Sequence, residues 1–443
     1  MKPVNLANIN LWGRTIGTLI WQNDLGYFSY NKAFQASGIE LSPLTVPLSD
    51  RVFSFNTLTP DTYKRLPGLL ADSLPDKFGN QLIDQWLALH ERKPESFSPL
   101  ERLCYIGSRG MGALEFSPAL GELSAPNQAL DVAELVTLAS QALSRKAELQ
   151  TQLAGADQAK RAALERVISV GTSAGGARAK AVIAWNETTN EVRSGQVNTD
   201  SGFSYWLLKF DGISDNRDKE QLADPVGFGI LEYAYHLMAV AAGINMSRCR
   251  LLKENGRAHF MTERFDRLAG GEKLHMLTLC GMAHFDFNQP GAYSYEQALA
   301  VMRELNLPHS DLEQLYRRAL FNVMAKNQDD HTKNIAFLMD KTGTWRLAPA
   351  YDLTYCNGAY WTAQHQMSLN GKRDGFERSD FQALARHANL RPAQAQRIFD
   401  EVLAAIERWP DYAKRAQLPQ NSPDLEPHLS WADAVGQELR IKW

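Results

Sequence analysis

Along the first hundred or so residues, short apolar runs alternate with turn signals, a pattern of strands and hairpins rather than of long helices. "NINLWGRTIGTLIW", with Gly13 and Gly17 between its apolar runs, predicts a hairpin or a pair of short strands. The period then lengthens. In "GLLADSLPDKFGNQLIDQWLALHERK", Phe78, Leu82, Ile83 and Leu87 recur at helical spacing, with Pro75 in the first turn and Asp72 or Ser73 as the expected cap. After the glycine-punctuated "GSRGMGALEF", the stretch from about 126 to 166 is rich in Ala, Leu, Gln, Glu and Lys and predicts two helices broken near Gly155. Strands return in "AVIAW" (181–185), "FSYWLLKF" and "AHFMTERFDR". Between the last two lies a helix, "GFGILEYAYHLMAVAAGI", with Ile230, Tyr233, Ala234, Leu237 and Met238 as its expected apolar stripe. From about Tyr293 the pattern is helical. "SDLEQLYRRALFNVMAKN" opens with Ser310 and Glu313 in capping-box spacing, and further helices are expected at about 378–389 and 391–409.

Composition narrows the class without naming a function. The chain has 443 residues, 44% hydrophobic and 22% charged, enough for a sizeable core and for two or three domains. A formal net charge of -3, with no long block of either sign, gives no argument for a nucleic-acid-coating or membrane-surface protein. The N-terminus lacks the apolar segment of a signal peptide and no window approaches a membrane span, so the expectation is a cytoplasmic protein. Cys104, Cys249, Cys280 and Cys356 are scattered, with no C-x-x-C, and read as reduced structural thiols.

The densest chemistry lies in "NQDDHTKNIAF", 327–337, which follows the long helix and precedes "NIAFLMDKTGTWRLAPAYDL", two expected strands joined at 341–343 and ending in Asp352. Protein kinases place a catalytic Asp five residues before a metal-binding Asn, and a second metal-binding Asp after a short hairpin. Asp329 and Asn334 have that spacing, and Asp352 stands in the second position. Phosphoryl transfer needs a carboxylate to orient and deprotonate the attacking hydroxyl, and oxygen ligands for Mg²⁺. Asx-rich loops also form ordinary turns, and Asp330 and His331 are as readily structural. "VGTSAGGARAK" could cradle phosphates through its backbone N–H groups, yet it matches neither G-x-x-x-x-G-K-[ST] nor G-x-G-x-x-G and reads equally as a turn. Lys209, ending "YWLLK", could be a strand lysine that pairs with nucleotide phosphates or a snorkelling edge lysine.

Taken in order, "GLLADSLPD", "YIGSRGMGALEF", "GTSAGGARAK", "ERFDR", "DDHTKN" and "YDL" resemble the HipA family of bacterial Ser/Thr protein kinases, the toxins of HipBA-type toxin-antitoxin systems. The resemblance spans nearly the whole chain. It implies an α+β, two-lobed protein-kinase-like fold, with an N-terminal lobe of mostly antiparallel sheet, an extra N-terminal subdomain and an all-helical C-terminal lobe. The expected divisions are 1–125 for the subdomain, 126–267 for the kinase N-lobe with a helical lead-in at 126–167, and 268–443 for the C-lobe. By the same resemblance Asp329 is the catalytic base, and Asn334 and Asp352 hold Mg²⁺. Lys209 contacts ATP phosphates, with Lys180, Gly175 and Gly176 in the Gly-rich loop, while Glu263 and Phe265 mark the adenine hinge. Ser173, or else Ser169, is the serine that the family autophosphorylates. Asp330 departs from the family's best-known member, which has glycine there, and is expected either to raise the base's pKa or to add a metal contact. The resemblance also implies a protein substrate, characteristically an aminoacyl-tRNA synthetase, and a small helix-turn-helix antitoxin through which DNA is contacted.

Two other classes compete. A kinase-like regulator would bind an antitoxin/DNA complex without phosphoryl transfer, but the chain shows no helix-turn-helix with a basic recognition helix. A metal nuclease reading "DDH" as its cluster would need neither Lys209 nor a hinge, whereas a small-molecule kinase would differ only in surfaces the sequence does not display.

Overall fold

Alternation along the first strands sets the N-terminal architecture. In β1 (Leu6–Leu11) Ala7, Ile9 and Leu11 point inward, and the chain reverses at Trp12 and Gly13, both at positive φ (49° and 77°), into β2 (Arg14–Gln22). Two left-handed residues make the turn whose twist matches a hairpin. Asn23 and Asp24 (φ 52° and 56°) repeat the device into β3 (Leu25–Tyr30). With β4 (Val52–Phe53) and β5 (Leu114–Ser117) these strands form an antiparallel sheet in the order β4-β3-β2-β1-β5. The structure is a computed structural model that describes residues 2–120, 129–144, 170–171, 178–196, 202–213, 227–268 and 270–418.

Helix α1 (Lys77–Leu89) starts later than the sequence suggests. Asp76 is its cap, its Oδ1 accepting from Gly79 N at 2.6 Å, while Asp72 instead accepts from both the N–H and the hydroxyl of Thr278 at 2.7 Å. Pro75 therefore precedes the helix, and the Asp72 carboxylate ties this segment to the C-terminal half. Gly68 serves the same junction: a Cβ there would collide with the Gly281 carbonyl, and its N–H donates to His284 Nε2 at 3.0 Å. Helix α2 (Pro99–Ile106) carries a full Ser98/Glu101 capping box, and α3 (Val132–Ser144) accounts for the first of the two helices expected beyond 126. The expected second helix and the break near Gly155 lie outside the described residues.

A second antiparallel sheet runs β7-β6-β8-β10-β9, built from β6 (Lys180–Trp185), β7 (Val192–Ser194), β8 (Ser204–Lys209), β9 (Cys249–Glu254) and β10 (Arg257–Glu263). Helix α4 (Phe228–Ala241) enters between β8 and β9 in sequence. Its most buried residues are Leu231, Ala234, Tyr235 and Met238, together with Glu232 and His236, while Ile230, Tyr233 and Leu237 are only half-buried. The stripe is rotated from the expected one because α4 is covered twice, by β9 and β10 and by helices of the C-terminal half.

That half contains α5 (Tyr295–Glu304), α6 (His309–Met324), α7 (Arg378–His387), α8 (Pro392–Glu407) and α9 (Trp409–Ala416). Helix α6 begins before Ser310, directly after Pro308, so the Ser310/Glu313 box is not used. The expectation of an all-helical lobe is corrected by a three-stranded sheet: β11 (His275–Thr278), β12 (Ala336–Met339) and β13 (Trp345–Leu347). The four-residue apolar run of β12 is buried along its length and needs a strand on each side, and Gly343 at φ 85° turns it into β13.

Two cores result. The N-terminal sheet shares one with the C-terminal helices, whereas α1 and α3 cover the second sheet, setting Phe78, Leu82 and Trp86 in one cluster with Ile183, Trp206 and Leu208. The N-terminal region therefore braces both halves. All four cysteines are free, and among the described residues no helix is long and apolar enough to cross a membrane.

Candidate active site

Antiparallel pairing of β6 with β8 sets Lys180 directly opposite Lys209. Opposed like charges on one sheet face repel unless each is compensated. Lys209 Nζ donates to Glu232 Oε1 at 2.6 Å and to the Asp352 carboxylate. Lys180 Nζ lies 3.4 Å from Asp76 Oδ2, a pair in which both side chains are buried. Burial opposes the Lys209 charge, but the two carboxylates outweigh it and raise its pKa. Lys180 is instead pushed down by burial, which outweighs the pull of Asp76 and Asp352, and Asp76 is pushed up to about 6 by its own burial. Burial also raises Glu232. Asp352 is held down at about 2, because Lys209 and Lys180 outweigh its burial.

Asp352 approaches Lys209 from the loop after β13 and adopts φ 52°, the left-handed region that Asp tolerates better than most residues. The polar loop after α6 arrives beside it. Asn334 Nδ2 donates to the Asp329 carbonyl at 2.8 Å, closing the five-residue span into a short 3₁₀ turn. Trp361 Nε1 donates to Asp329 Oδ1 at 2.7 Å, and His331 Nε2 lies 3.9 Å from the same oxygen. Asn327 Nδ2 bonds Asn322 Oδ1 at 2.9 Å and reaches the Asp352 carbonyl at 3.4 Å, tying the two loops together.

Asp330 is held by protein partners on both carboxylate oxygens. Its Oδ2 accepts from Tyr295 at 2.7 Å and sits 2.9 Å from His365 Nδ1, and its Oδ1 accepts from Gln366 N at 2.7 Å. Burial alone would raise its pKa, but His365 and these donors lower it, so it is an ionised buried anchor for the loop.

The donor set suits a hard divalent cation. Asn334 and Asp352 line one small cavity of about 20 Å³. The Asn334 amide nitrogen is already committed, which leaves its carboxamide oxygen, beside the Asp352 carboxylate, as an oxygen ligand. No cluster of three or more His, Cys, Asp or Glu occurs among the described residues, so water and phosphate oxygens would complete such a site.

At the edge of β10, Glu263 N donates to Arg248 O at 2.9 Å and Arg264 N to Tyr205 O at 2.8 Å. Phe265 makes no backbone hydrogen bond among the described residues, and its ring packs 5.6 Å from that of Tyr351. The open backbone of this connection is therefore at Phe265 and not at the Glu263 N–H. Gly175, Gly176, Ser173 and Ser169 lie outside the described residues. Arg178 stacks 3.7 Å over the Phe228 ring.

Three contributors escape the sequence reading. Glu232 was visible as the single carboxylate in an apolar helix, Asp76 was hidden by the competing caps beside it, and Trp361 gave no signal.

Comparison with known proteins agrees with the geometry. The HipA N-terminal domain matches residues 7–117, and the HipA-like C-terminal domain matches residues 172–409. "Putative kinase Y4mE" of Sinorhizobium fredii (strain NBRC 101917 / NGR234) is 26% identical over 125 residues, which are 26% of this chain and 30% of that relative's length. Among solved structures, a chain of the Shewanella oneidensis MR-1 toxin-antitoxin complex of HipA, HipB and operator DNA matches with a TM-score of 0.64 at 18% identity. That match covers 98% of this chain and 94% of the other. The likeness in fold extends over both halves, and the C-terminal family match alone spans more than half of the sequence: the chain belongs to the HipA family and has its two-lobed, kinase-like fold.

Proposed function

We propose that the protein is an ATP- and Mg²⁺-dependent serine/threonine protein kinase of HipA type. The observation that carries this reading is Lys209, bonded at once to Glu232 of α4 and to Asp352 beside the Asp329–Asn334 loop. A strand lysine paired with a helix glutamate is the arrangement kinases use to hold nucleotide phosphates. Lys209 and Lys180 bind the phosphates, the open Phe265 backbone receives the adenine edge, and Asp329 faces the acceptor hydroxyl. Mg²⁺, held by Asn334 and Asp352, supplies charge neutralisation at the phosphates. In the transfer the acceptor oxygen bonds the γ-phosphorus, the bond from that phosphorus to the β–γ bridging oxygen breaks, ADP leaves, and the hydroxyl proton passes to Asp329. Trp361 holds Asp329 through its Oδ1 and so orients the carboxylate that takes up that proton.

The divisions at 1–125, 126–267 and 268–443, autophosphorylation at Ser173 or Ser169, toxicity, and a translation component such as an aminoacyl-tRNA synthetase as substrate belong to this proposal. So does a small antitoxin partner, for which the Shewanella HipA–HipB–DNA complex is the support. The test is incubation of the purified protein with ATP and Mg²⁺, followed by mass-spectrometric mapping of phosphate beside Asp329→Asn. Phosphoserine in the wild type, with the variant about two to four decades slower, is expected. Neither protein gaining phosphate nor binding ATP would remove the proposal.

A further inference from the structure

A second cleft lies outside the active site, at the seam between the N-terminal sheet and the connection that follows β10. Its volume is about 240 Å³, and Arg109, Glu115, Gln196, Tyr205, Arg267 and Lys273 are among its lining residues. Arg109 belongs to the "YIGSRGMGALEF" segment, whose chemistry the kinase reading leaves unused.

The charges around this cleft do not balance. Asp266, fully buried, is shared by Arg264 and Arg267, each at 2.7 Å from its Oδ2. Lys273 pairs with Glu115 at 2.7 Å and also donates to Ser108 O at 2.7 Å. Arg109 donates to the carbonyls of Ile106 and Tyr105, packs 5.1 Å over the Tyr105 ring, and meets no carboxylate among the described residues. Its Nη1 is buried without a hydrogen-bond partner. Among the described residues, three cations, Arg109, Arg267 and Lys273, line the cleft against one carboxylate, Glu115, while Arg264 and Asp266 behind them cancel, an excess of two positive charges. Burial opposes the Arg109 charge, so the excess sits where it is costly.

We infer that this cleft binds a doubly charged phosphoryl group, either inorganic phosphate or the phosphate end of a small phosphomonoester. A phosphomonoester carries about −1.5 to −2 charges at pH 7, which matches the excess, and its oxygens suit guanidinium and ammonium donors converging from several directions. The anion would sit between Arg109 on one side of the seam and Arg267 and Lys273 on the other. It would thereby clamp the connection after β10 onto the N-terminal region, where Arg267 already donates to Gly110 O and Gly112 O at 3.0 Å. This site is independent of whether the protein transfers phosphate.

Calorimetric titration of the full-length protein with inorganic phosphate, at constant ionic strength in a chloride buffer, tests the inference. Parallel titration with glycerol 3-phosphate separates the two ligand sources: tighter binding of the ester identifies a phosphomonoester site, and equal or weaker binding identifies a phosphate site. Wild type and Lys209→Met should bind one equivalent alike, because Lys209 belongs to the nucleotide cleft. Arg109→Gln and Lys273→Gln should each weaken binding by about tenfold or more. Circular dichroism checks folding, and if Arg109→Gln fails to fold, the more peripheral Lys273→Gln decides. Absence of saturable phosphate binding by the wild type, binding unchanged in Lys273→Gln, or binding lost in Lys209→Met that circular dichroism shows to be folded would each overturn the assignment.

Discussion

Lys180 and Lys209 are the same residue type, on neighbouring strands, directly opposite each other, yet their surroundings give them opposite tendencies. Lys209 has two carboxylates, one from α4 and one from the loop after β13, and its charge is reinforced. Lys180 pairs with Asp76, contributed by the N-terminal region, and its charge is weakened by burial that Asp76 and Asp352 together do not offset. A kinase-like lobe can secure one buried lysine from its own helix. The second is held by a segment outside that lobe, which, under the proposed function, gives the N-terminal region a stake in nucleotide binding beyond bracing the fold.

Substitution of each lysine should expose the difference. Lys209→Met leaves Glu232 fully buried and facing Asp352 without the cation between them, a loss of about 3–5 kcal/mol if both stay charged. A lowered urea midpoint at pH 7, partly restored on acidification as Glu232 takes up a proton, is the expected result, with phosphoryl transfer reduced by about 10²–10³. Lys180→Met removes a cation from Asp76 and Asp352, but Asp352 keeps Lys209, and Asp76, with a pKa of about 6, protonates readily, so its stability loss should be the smaller. Equal losses in the two variants would contradict the contrast between them.

Asp76→Asn addresses the weaker pair without touching either lysine. Losing a charged hydrogen-bond partner of Lys180 should raise the ATP KM by about tenfold while kcat changes little. The pH dependence follows from the raised Asp76 pKa. Above about pH 6 the carboxylate is ionised and holds Lys180; as pH falls through 6 it protonates and the anchor is lost. Its folded-state pKa lies above the usual carboxylate range, so any stability contributed by this group is largest at low pH and declines as pH rises through 6. Apparent ATP affinity of the wild type should therefore weaken between pH 7 and 5, and steady-state kinetics of Asp76→Asn should lack that step. A wild-type profile retained by the variant would assign the step to another group.

What the sequence disclosed, and what it concealed, follows the same division. Asp329, Asn334 and Asp352 were legible because one loop and one hairpin carry them in a fixed order, and the hairpin itself follows from the apolar run at 336–339. Glu232 required knowing that α4 turns its one carboxylate toward β8, and the double covering of α4 blurred the stripe that would have given its rotation. Asp76 was misread because Asp72 and Ser73 are equally good caps; the Asp72–Thr278 bonds that remove Asp72 from competition are long-range. Asp330 looked like added charge at the base, and only the distant Tyr295, His365 and Gln366 reveal it as an anchor.

Trp361 supplies a control for both lysines. Its indole N–H reaches the Asp329 carboxylate and neither Lys180 nor Lys209, so it acts on the acceptor side of the cleft. Trp361→Phe keeps an aromatic ring and deletes one donor to a charged acceptor, a change of about 1.5–3 kcal/mol at most and so about ten- to a hundredfold or less in kcat. ATP KM and its pH step should remain as in the wild type. If Trp361→Phe instead raised the ATP KM as Asp76→Asn does, the nucleotide and acceptor sides of the cleft would be coupled through the Asp329 loop. The distinction between a self-supported Lys209 and a borrowed Lys180 would then be one part of a larger network, readable by combining Trp361→Phe with Asp76→Asn and testing whether their effects add.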